Sequence, residues 1–251
     1  MQADEVSVII PAYNEQETIV RTIRTARKAF PTAQIILADS ESTDQTVARA
    51  RETDARIVAA ERGKGRAMTA GVARAAKPII LFVDADIKNL SPAMLKKLVA
   101  PIQNNDGDVT IASFSSPYPQ SFTELAYRPL MRLLFPEVES AIKEAPLSGQ
   151  RAMTRKTARS LKLSPGFGVE AAMNVDIVLA GLKVKAVPLG AIDPVFKGTL
   201  GPAVLRKRAK EIAAAILAKA KEHGRLGRLA KADCPAVLKG VTDAFGSGKG
   251  L

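Results

Sequence analysis

Short apolar runs that stop at polar residues, with helical stretches between them, constrain this chain more than any other feature. Residues 5–10 form such a run and end at Pro11. Ile35 to Ala38 ends at Asp39, Arg56 to Ala59 leads into RGKGRAMTAG, and Pro78 to Val83 ends at Asp84. These runs have the length of buried strands. Between the first two, Asn14 and Glu15 open a helical pattern reaching Lys28. SESTDQT then offers Ser42 or Thr43 as the cap of a helix running to Glu52. Alternation of this kind predicts βαβ units: an α/β fold with a Rossmann-like, mainly parallel sheet flanked by helices. Ligands of such sheets bind beyond the carboxyl ends of the strands. Asn14-Glu15, Asp39-Ser40, Lys64 and Asp84/Asp86 all follow strand ends. Four polar clusters are therefore expected on one edge.

The fourth run poses a question of charge. LFVDADIKN, residues 81 to 89, carries Asp84 and Asp86 one residue apart. On a strand, residues i and i+2 face the same way, so both carboxylates are expected on one side of its end. Like charges that close repel, and a positive partner is required: a divalent cation, an Arg or Lys, or else water.

The second half is less regular. Residues 108–114 read as a strand, SSPYPQS as a loop, and 122–135 as a helix ending before Pro136. PLSGQRAMT reads as a loop, SPGFGVEAAMNVDIVLAGL as a loop and helix, VKAVPLG as a strand, and Asp193 to Leu200 as a loop. A long basic helix is expected from Pro202 to Glu222. This divides the chain into a region of mixed strands and helices, 1–200, and a basic helical C-terminal extension, 201–251. The extension holds eleven Lys/Arg against four Asp/Glu. The net charge of +12 favours anionic partners. Aromatic residues make up 4% with no tryptophan, which argues against a base-stacking nucleic-acid platform. No apolar run reaches the ~18 residues of a membrane span. The N-terminus, MQADEVSVII, lacks the pattern of a signal peptide. The single cysteine, Cys234, excludes an internal disulfide and a Cys-based zinc site. A cytoplasmic protein without stable membrane insertion is expected.

VSVIIPAYNEQETI, ADSESTDQT, RGKGRAMTAG and LFVDADI, in that order over residues 5–90, resemble the start of a GT-A nucleotide-sugar glycosyltransferase of the family 2 type. FTELAYRPLMRLLFPEVESAIKEAPLSGQRAMTRK, GFGVEAAMNVDI and VPLG resemble the glucosyl-3-phosphoglycerate synthases and their close relatives. Two alternatives stand beside this: a polyprenyl-phosphate glycosyltransferase whose basic helix from Pro202 rests on anionic lipid, and a non-catalytic nucleotide- or polyanion-binding protein, for which the +12 charge is the cue. The resemblance implies transfer of a sugar, glucose by preference, from a UDP-sugar to a small phosphorylated or carboxylated acceptor, with retention at the anomeric carbon and residues 1–200 as the catalytic domain (donor half 1–112, acceptor half 113–200). It makes DAD a metal motif for Mg²⁺ or Mn²⁺, hard cations that prefer oxygen, with Asp86 the direct ligand and Asp84 near the ribose or metal. Pro11, Ala12, Tyr13 and Glu15 match the loop around base and ribose, Asp39 and Ser40 the end that reads uracil, and Ala85 lies within the motif. Lys64 matches a group near base or phosphates, and Glu170 one near the donor sugar. Asp86, Lys64 and Glu170 form the implied catalytic set. Thr123, Leu147, Ser148, Gly149 and Arg151 fall on the acceptor side. Relatives are often dimers, so a homodimer belongs to the same expectation. Simpler readings stand beside these: a turn aspartate for Asp39, a solvated lysine for Lys64, and for Glu170 a helix N-terminal acid favoured by the dipole.

Two positions depart from the pattern. Relatives place a metal-binding histidine after the VPLG-like strand. Here that stretch is AIDPVFKG, so Asp193 becomes the candidate third ligand, and the one histidine, His223, reads as a helix C-terminal residue. Relatives also carry an arginine before TEL, where this chain has Ser121 or Phe122. Arg151, Arg155, Lys156 and Lys197 are the cations left to meet an anionic acceptor. An inverting route would instead need a carboxylate base, for which Glu144 is nearest in sequence.

Overall fold

The computed structural model describes residues 5–115, 122–195 and 202–230. Ser121, Lys197 and Cys234, and the extension beyond residue 230, lie outside the described residues.

The apolar runs form strands with strict alternation of faces. β1 (Val6–Ala12), β2 (Gln34–Asp39) and β4 (Ile79–Phe82) carry Val6, Val8, Ile10, Ile35, Leu37, Ile79 and Leu81 on one face. They carry Ile9, Ile36, Ala38, Ile80 and Phe82 on the other. Both faces are buried, as a parallel sheet requires. Helices α1 (Ile19–Ala29) and α4 (Pro92–Gln103) cover the first face. Helices α3 (Lys64–Arg74) and α8 (Val169–Leu179) cover the second. The short helix α2 (Thr46–Ala50) precedes β3 (Arg56–Ala59).

The sheet of seven strands is ordered β3-β2-β1-β4-β6-β5-β7, with β5 (Val109–Ser115), β6 (Arg151–Thr154) and β7 (Val184–Ala191). All pairings are parallel except those of β6, which runs antiparallel to β4 and β5. Strand order reverses between β1 and β4, and this is where an open α/β sheet leaves a crevice.

Several elements differ from the sequence expectation. β1 continues through Pro11 to Ala12. Proline is tolerated there because β4 pairs β1 only over Val6 to Ile9, so at Pro11 the pairing registered is with β2 alone. The stretch 92–103, unassigned from sequence, is α4; Ser91 accepts the Met94 N–H at 3.3 Å and Pro92 stands in its first turn. Residues 151–154, read as loop, are β6. The helix expected over 122–135 is a π-helical turn (Thr123–Tyr127) running into α5 (Arg128–Leu134), and Pro136 opens a further helix, α6 (Pro136–Ala141). A short helix α7 (Arg155–Ser160) follows β6.

The basic helix is α9 (Pro202–Glu222), followed by α10 (Gly227–Ala230). α9 packs on the rest of the fold. Its Ala209, Ile212 and Ile216 share an apolar cluster with Tyr127, Leu130, Leu134, Ala171 and Val175. His223 ends this helix, its N–H on Lys219 O and its ring edge-on to Phe135.

Candidate active site

The loops after β1 and β2 are built as one unit. Asn14 takes a left-handed φ of 53°, a conformation asparagine tolerates. Its N–H donates to Ser42 Oγ at 2.9 Å, and its Oδ1 accepts the Thr43 N–H at 2.8 Å. Glu15 N–H donates to Thr46 Oγ1 at 2.7 Å, and Gln16 N–H to Asp44 Oδ2 at 3.2 Å. Ser42 and Thr43 therefore serve the first loop and do not cap α2, whose first N–H goes to Asp44 Oδ1 at 2.9 Å. Ser40 ties three loops together. Its N–H donates to Ala12 O, while its hydroxyl accepts the Gly63 N–H at 2.7 Å and donates to Glu61 O at 3.1 Å. With its hydroxyl so engaged, Ser40 braces the pocket wall. Asp39 is buried; Oδ2 accepts the Ser42 N–H, and Oδ1 has no hydrogen-bond partner among the described residues. Such an orphaned acceptor at a strand end suits a ligand N–H. The Arg62 guanidinium lies over the Tyr13 ring. Arg62 belongs to the basic loop noticed in the sequence, but its stacking partner could not be read there.

Lys64 supplies the positive group that the DAD motif demanded. It is the first residue of α3, and its Nζ lies 2.7 Å from Asp84 Oδ1 and 2.8 Å from Glu170 Oε1. Glu170, 4% exposed at the side chain, is the second residue of α8. Burial alone would lower the ammonium pKa, but Asp84 and Glu170 outweigh it and hold the group above the ordinary lysine range. Two glycine-containing turns bring the partners together. Gly65 N–H donates to Gly166 O and Arg66 N–H to Pro165 O. A Cβ at Gly63 or Gly65 would overlap the backbone at 164 and 165.

β4 ends at Phe82, so Asp84 and Asp86 lie in the turn beyond it, and strand alternation does not place them. Ala85 O accepts the Thr22 hydroxyl at 3.1 Å and holds the turn on α1. The turn also meets the segment after β7: Lys88 N–H donates to Asp193 O at 2.7 Å, Val195 N–H to Asp86 O at 2.5 Å, and Ile87 bridges Pro194. This pairing carries Asp193 alongside the motif. The Asp193 carboxylate faces Lys88 Nζ at 3.7 Å. Among the described residues no three Asp, Glu, His or Cys side chains converge as a metal cluster. Asp84 is engaged by Lys64 and by Gln150 Nε2 at 3.4 Å. Asp86 is half-buried two residues beyond Asp84, and a carboxylate is the kind of oxygen donor a hard cation takes.

In the loop before β6, Gly149 lies against the motif: a Cβ there would overlap the Asp84 carboxylate. Gly149→Ala is expected to cost about 1–3 kcal/mol through this overlap and to lower the melting temperature, while Gly227→Ala, where an added Cβ meets open space, does not. Arg151 is not the acceptor cation expected from sequence. It is fully buried, and it donates to Ser148 O at 2.7 Å, Pro146 O at 2.7 Å and Asn174 Oδ1 at 2.6 Å. Burial lowers its pKa. A cation so deep is retained because every arm is satisfied, and its work is to fold the 146–149 loop. Asn174, missed from sequence, also donates to Tyr127 Oη and Pro146 O. That loop leaves Leu147 half-buried, and it buries Ser148, whose Oγ has no partner among the described residues. Thr123 is buried at the start of the π-helical turn. Arg155 is spent on Ala76 O, and Glu144 is exposed.

The model of glycosyl transferase family 2 matches residues 7–158. Glucosyl-3-phosphoglycerate synthase of Mycolicibacterium smegmatis is 33% identical over 193 residues, which cover 68% of this chain and 63% of that protein. Glycosyltransferase AglJ of Haloferax volcanii is 30% identical over 191 residues, 74% of this chain and 62% of its own. The chain thus spans about three fifths of the length of these curated relatives. The crystal structure of glucosyl-3-phosphoglycerate synthase from Mycobacterium tuberculosis with Mn²⁺, UDP-glucose and phosphoglyceric acid superposes with a TM-score of 0.77. Its identity is 28%, over 87% of this chain and 80% of that one.

Proposed function

Because the chain belongs to glycosyl transferase family 2, we propose that it moves glucose from UDP-glucose to a hydroxyl of a small anionic acceptor, 3-phosphoglycerate first among them, with Mn²⁺ or Mg²⁺ present. The observation that carries this reading is the Lys64 ammonium held between Asp84 and Glu170 beside Asp86, at the edge where the sheet changes direction. The comparison with synthases bound to UDP-glucose and phosphoglyceric acid supports the choice of ligands.

In this reading the orphaned Asp39 Oδ1 receives the base N–H, and the loop at Tyr13 and Glu15 surrounds base and ribose. Lys64 faces the diphosphate, Glu170 accepts from sugar hydroxyls, and the Ser148 hydroxyl and Thr123 face the acceptor. Asp86 would hold the cation, whose chemistry is to offset charge on the leaving diphosphate. For transfer, the bond from the anomeric carbon to the diphosphate oxygen breaks and the bond to the acceptor oxygen forms. The acceptor proton passes to a diphosphate oxygen on the same face, which gives retention without a carboxylate base. Among the described residues no helix is long and apolar enough to cross a membrane, in keeping with a small polar acceptor.

The test is turnover by purified protein. UDP-glucose and GDP-glucose are offered with and without Mn²⁺, against 3-phosphoglycerate and a panel of phosphorylated and carboxylated alcohols. Metal-dependent UDP release with 3-phosphoglycerate, and an α-linked product by NMR, is the expected result. Turnover only with another alcohol would replace the acceptor. No binding of either nucleotide sugar by folded protein would overturn the reading.

A further inference from the structure

The donor site is reached from the C-terminal helix by a run of short contacts. Glu211, on α9, accepts the Phe167 backbone N–H at 2.6 Å through Oε2. Three residues earlier, the Arg208 guanidinium lies 4.7 Å above the Phe167 ring, and that ring meets Phe122 edge-on with centroids 5.8 Å apart. α9 therefore holds Phe167 by backbone and by ring. Its neighbours permit this closeness. A Cβ at Gly166 would meet the Glu211 carboxylate at 2.6 Å, and one at Gly168 would meet the Glu211 backbone carbonyl at 2.5 Å.

The same loop sits under α3. Pro165 O accepts the Arg66 N–H at 3.1 Å and Gly166 O the Gly65 N–H at 3.3 Å. These are N–H groups of the first turn, which have no partner within their own helix. Lys64 immediately precedes them. At its other end the loop runs through Gly168 into α8, whose second residue is Glu170. Both members of the Lys64–Glu170 pair are thus mounted on residues 164–168, and Glu211 is the charged group on α9 that holds that loop through a hydrogen bond.

We propose that Glu211 is a positioning residue for the donor site: by fixing the Phe167 N–H it fixes the 164–168 loop, and through the loop the placement of Lys64 against Glu170. The consequence for donor binding rests on the functional reading above; the mechanical link from Glu211 to α3 does not. A carboxylate accepting a backbone N–H makes a strong, charge-assisted bond. A glutamine oxygen accepts the same N–H without the charge, and an aspartate is one methylene too short.

The experiment pairs two readouts on the full chain. UDP with Mn²⁺ is titrated by calorimetry, and backbone amide exchange is followed by mass spectrometry over α3 and residues 163–170. Glu211→Ala is expected to weaken UDP binding about tenfold, as loss of one hydrogen bond to a charged group would. It is also expected to speed exchange at Gly65 and Arg66 well beyond any change in β1. Glu211→Gln returns both readouts to within about twofold of wild type. Glu211→Asp behaves like the alanine variant and carries the comparison if that variant does not fold. Wild-type exchange at Gly65 and Arg66 in the alanine or aspartate variant would overturn the proposal. So would loosening shared equally by β1, which would reduce Glu211 to a contributor to global stability. If the wild-type protein itself does not bind UDP, the functional reading fails and the exchange readout alone decides the link.

Discussion

Lys64→Met is expected to cost about 3 kcal/mol of stability at neutral pH. That is the low end for removing one partner of a buried ion pair, because the lysine side chain keeps 21% exposure. Methionine preserves the length and apolar stem but leaves the Asp84 and Glu170 carboxylates facing each other without a counter-charge. The pH dependence carries the sign of the effect. In the wild type the lysine pKa is raised above its ordinary 10.5. Its stabilising contribution is therefore fully present below that value and lost as pH rises through the folded-state value. The variant lacks that contribution at every pH. Urea unfolding should show the deficit of the variant holding steady below the ordinary lysine value of 10.5 and shrinking as pH rises above it. A deficit that does not change with pH would mean that packing, and not charge, is what Lys64 provides. Donor binding by the variant should fall with it, since the cation meant for the diphosphate is gone.

Asp86→Ala is expected to lower metal-dependent UDP release about 10³-fold. Loss of the protein's oxygen ligand removes several kcal/mol of charge stabilisation, and 1.36 kcal/mol corresponds to a factor of ten. Asp86 is half-exposed in a turn, so its removal should leave the unfolding midpoint near wild type. Mn²⁺ affinity in the presence of UDP, read by electron paramagnetic resonance, should fall in parallel. Asp193→Ala is the control: its carboxylate faces Lys88, so Mn²⁺ affinity should hold. Loss of Mn²⁺ binding in the Asp193 variant, with Asp86→Ala unaffected, would reverse the assignment of the ligand.

The parallel half of the fold was legible because its physics is local. Val8, Ile10, Ile9 and Ile36 announce strands buried on both faces, and Asp39, Lys64 and Asp84 fall where those strands end. β6 was hidden because Arg151, Ala152, Met153 and Thr154 are too few to show a period, and their pairing with β4 is remote in sequence. α4 went unassigned although Ser91-Pro92 is a recognisable start. Polar residues at strand ends were readable from local pattern; burial was not. Arg151 looked like a surface cation in the sequence, and only tertiary packing around Asn174 and Pro146 reveals it as a core residue. The place of Asp193 beside the motif is likewise set at long range, by the bridge between Ile87 and Pro194. Glu211 had no sequence signal at all, since nothing local links a mid-helix glutamate to a loop more than forty residues earlier.

The reversed direction of β6 has a consequence for how such a protein diversifies. In a sheet of uniformly parallel strands, the segment leading into a strand lies on the edge away from the ligand. Here Arg151, the first residue of β6, pairs with Phe82, the last of β4, so the lead-in 146–150 arrives beside Asp84 instead. Under the proposed function, a single stretch of chain can then be rewritten, lengthened or exchanged to suit a new acceptor, while the loops after β1 and β2, assembled from the other end of the sequence, stay as they are.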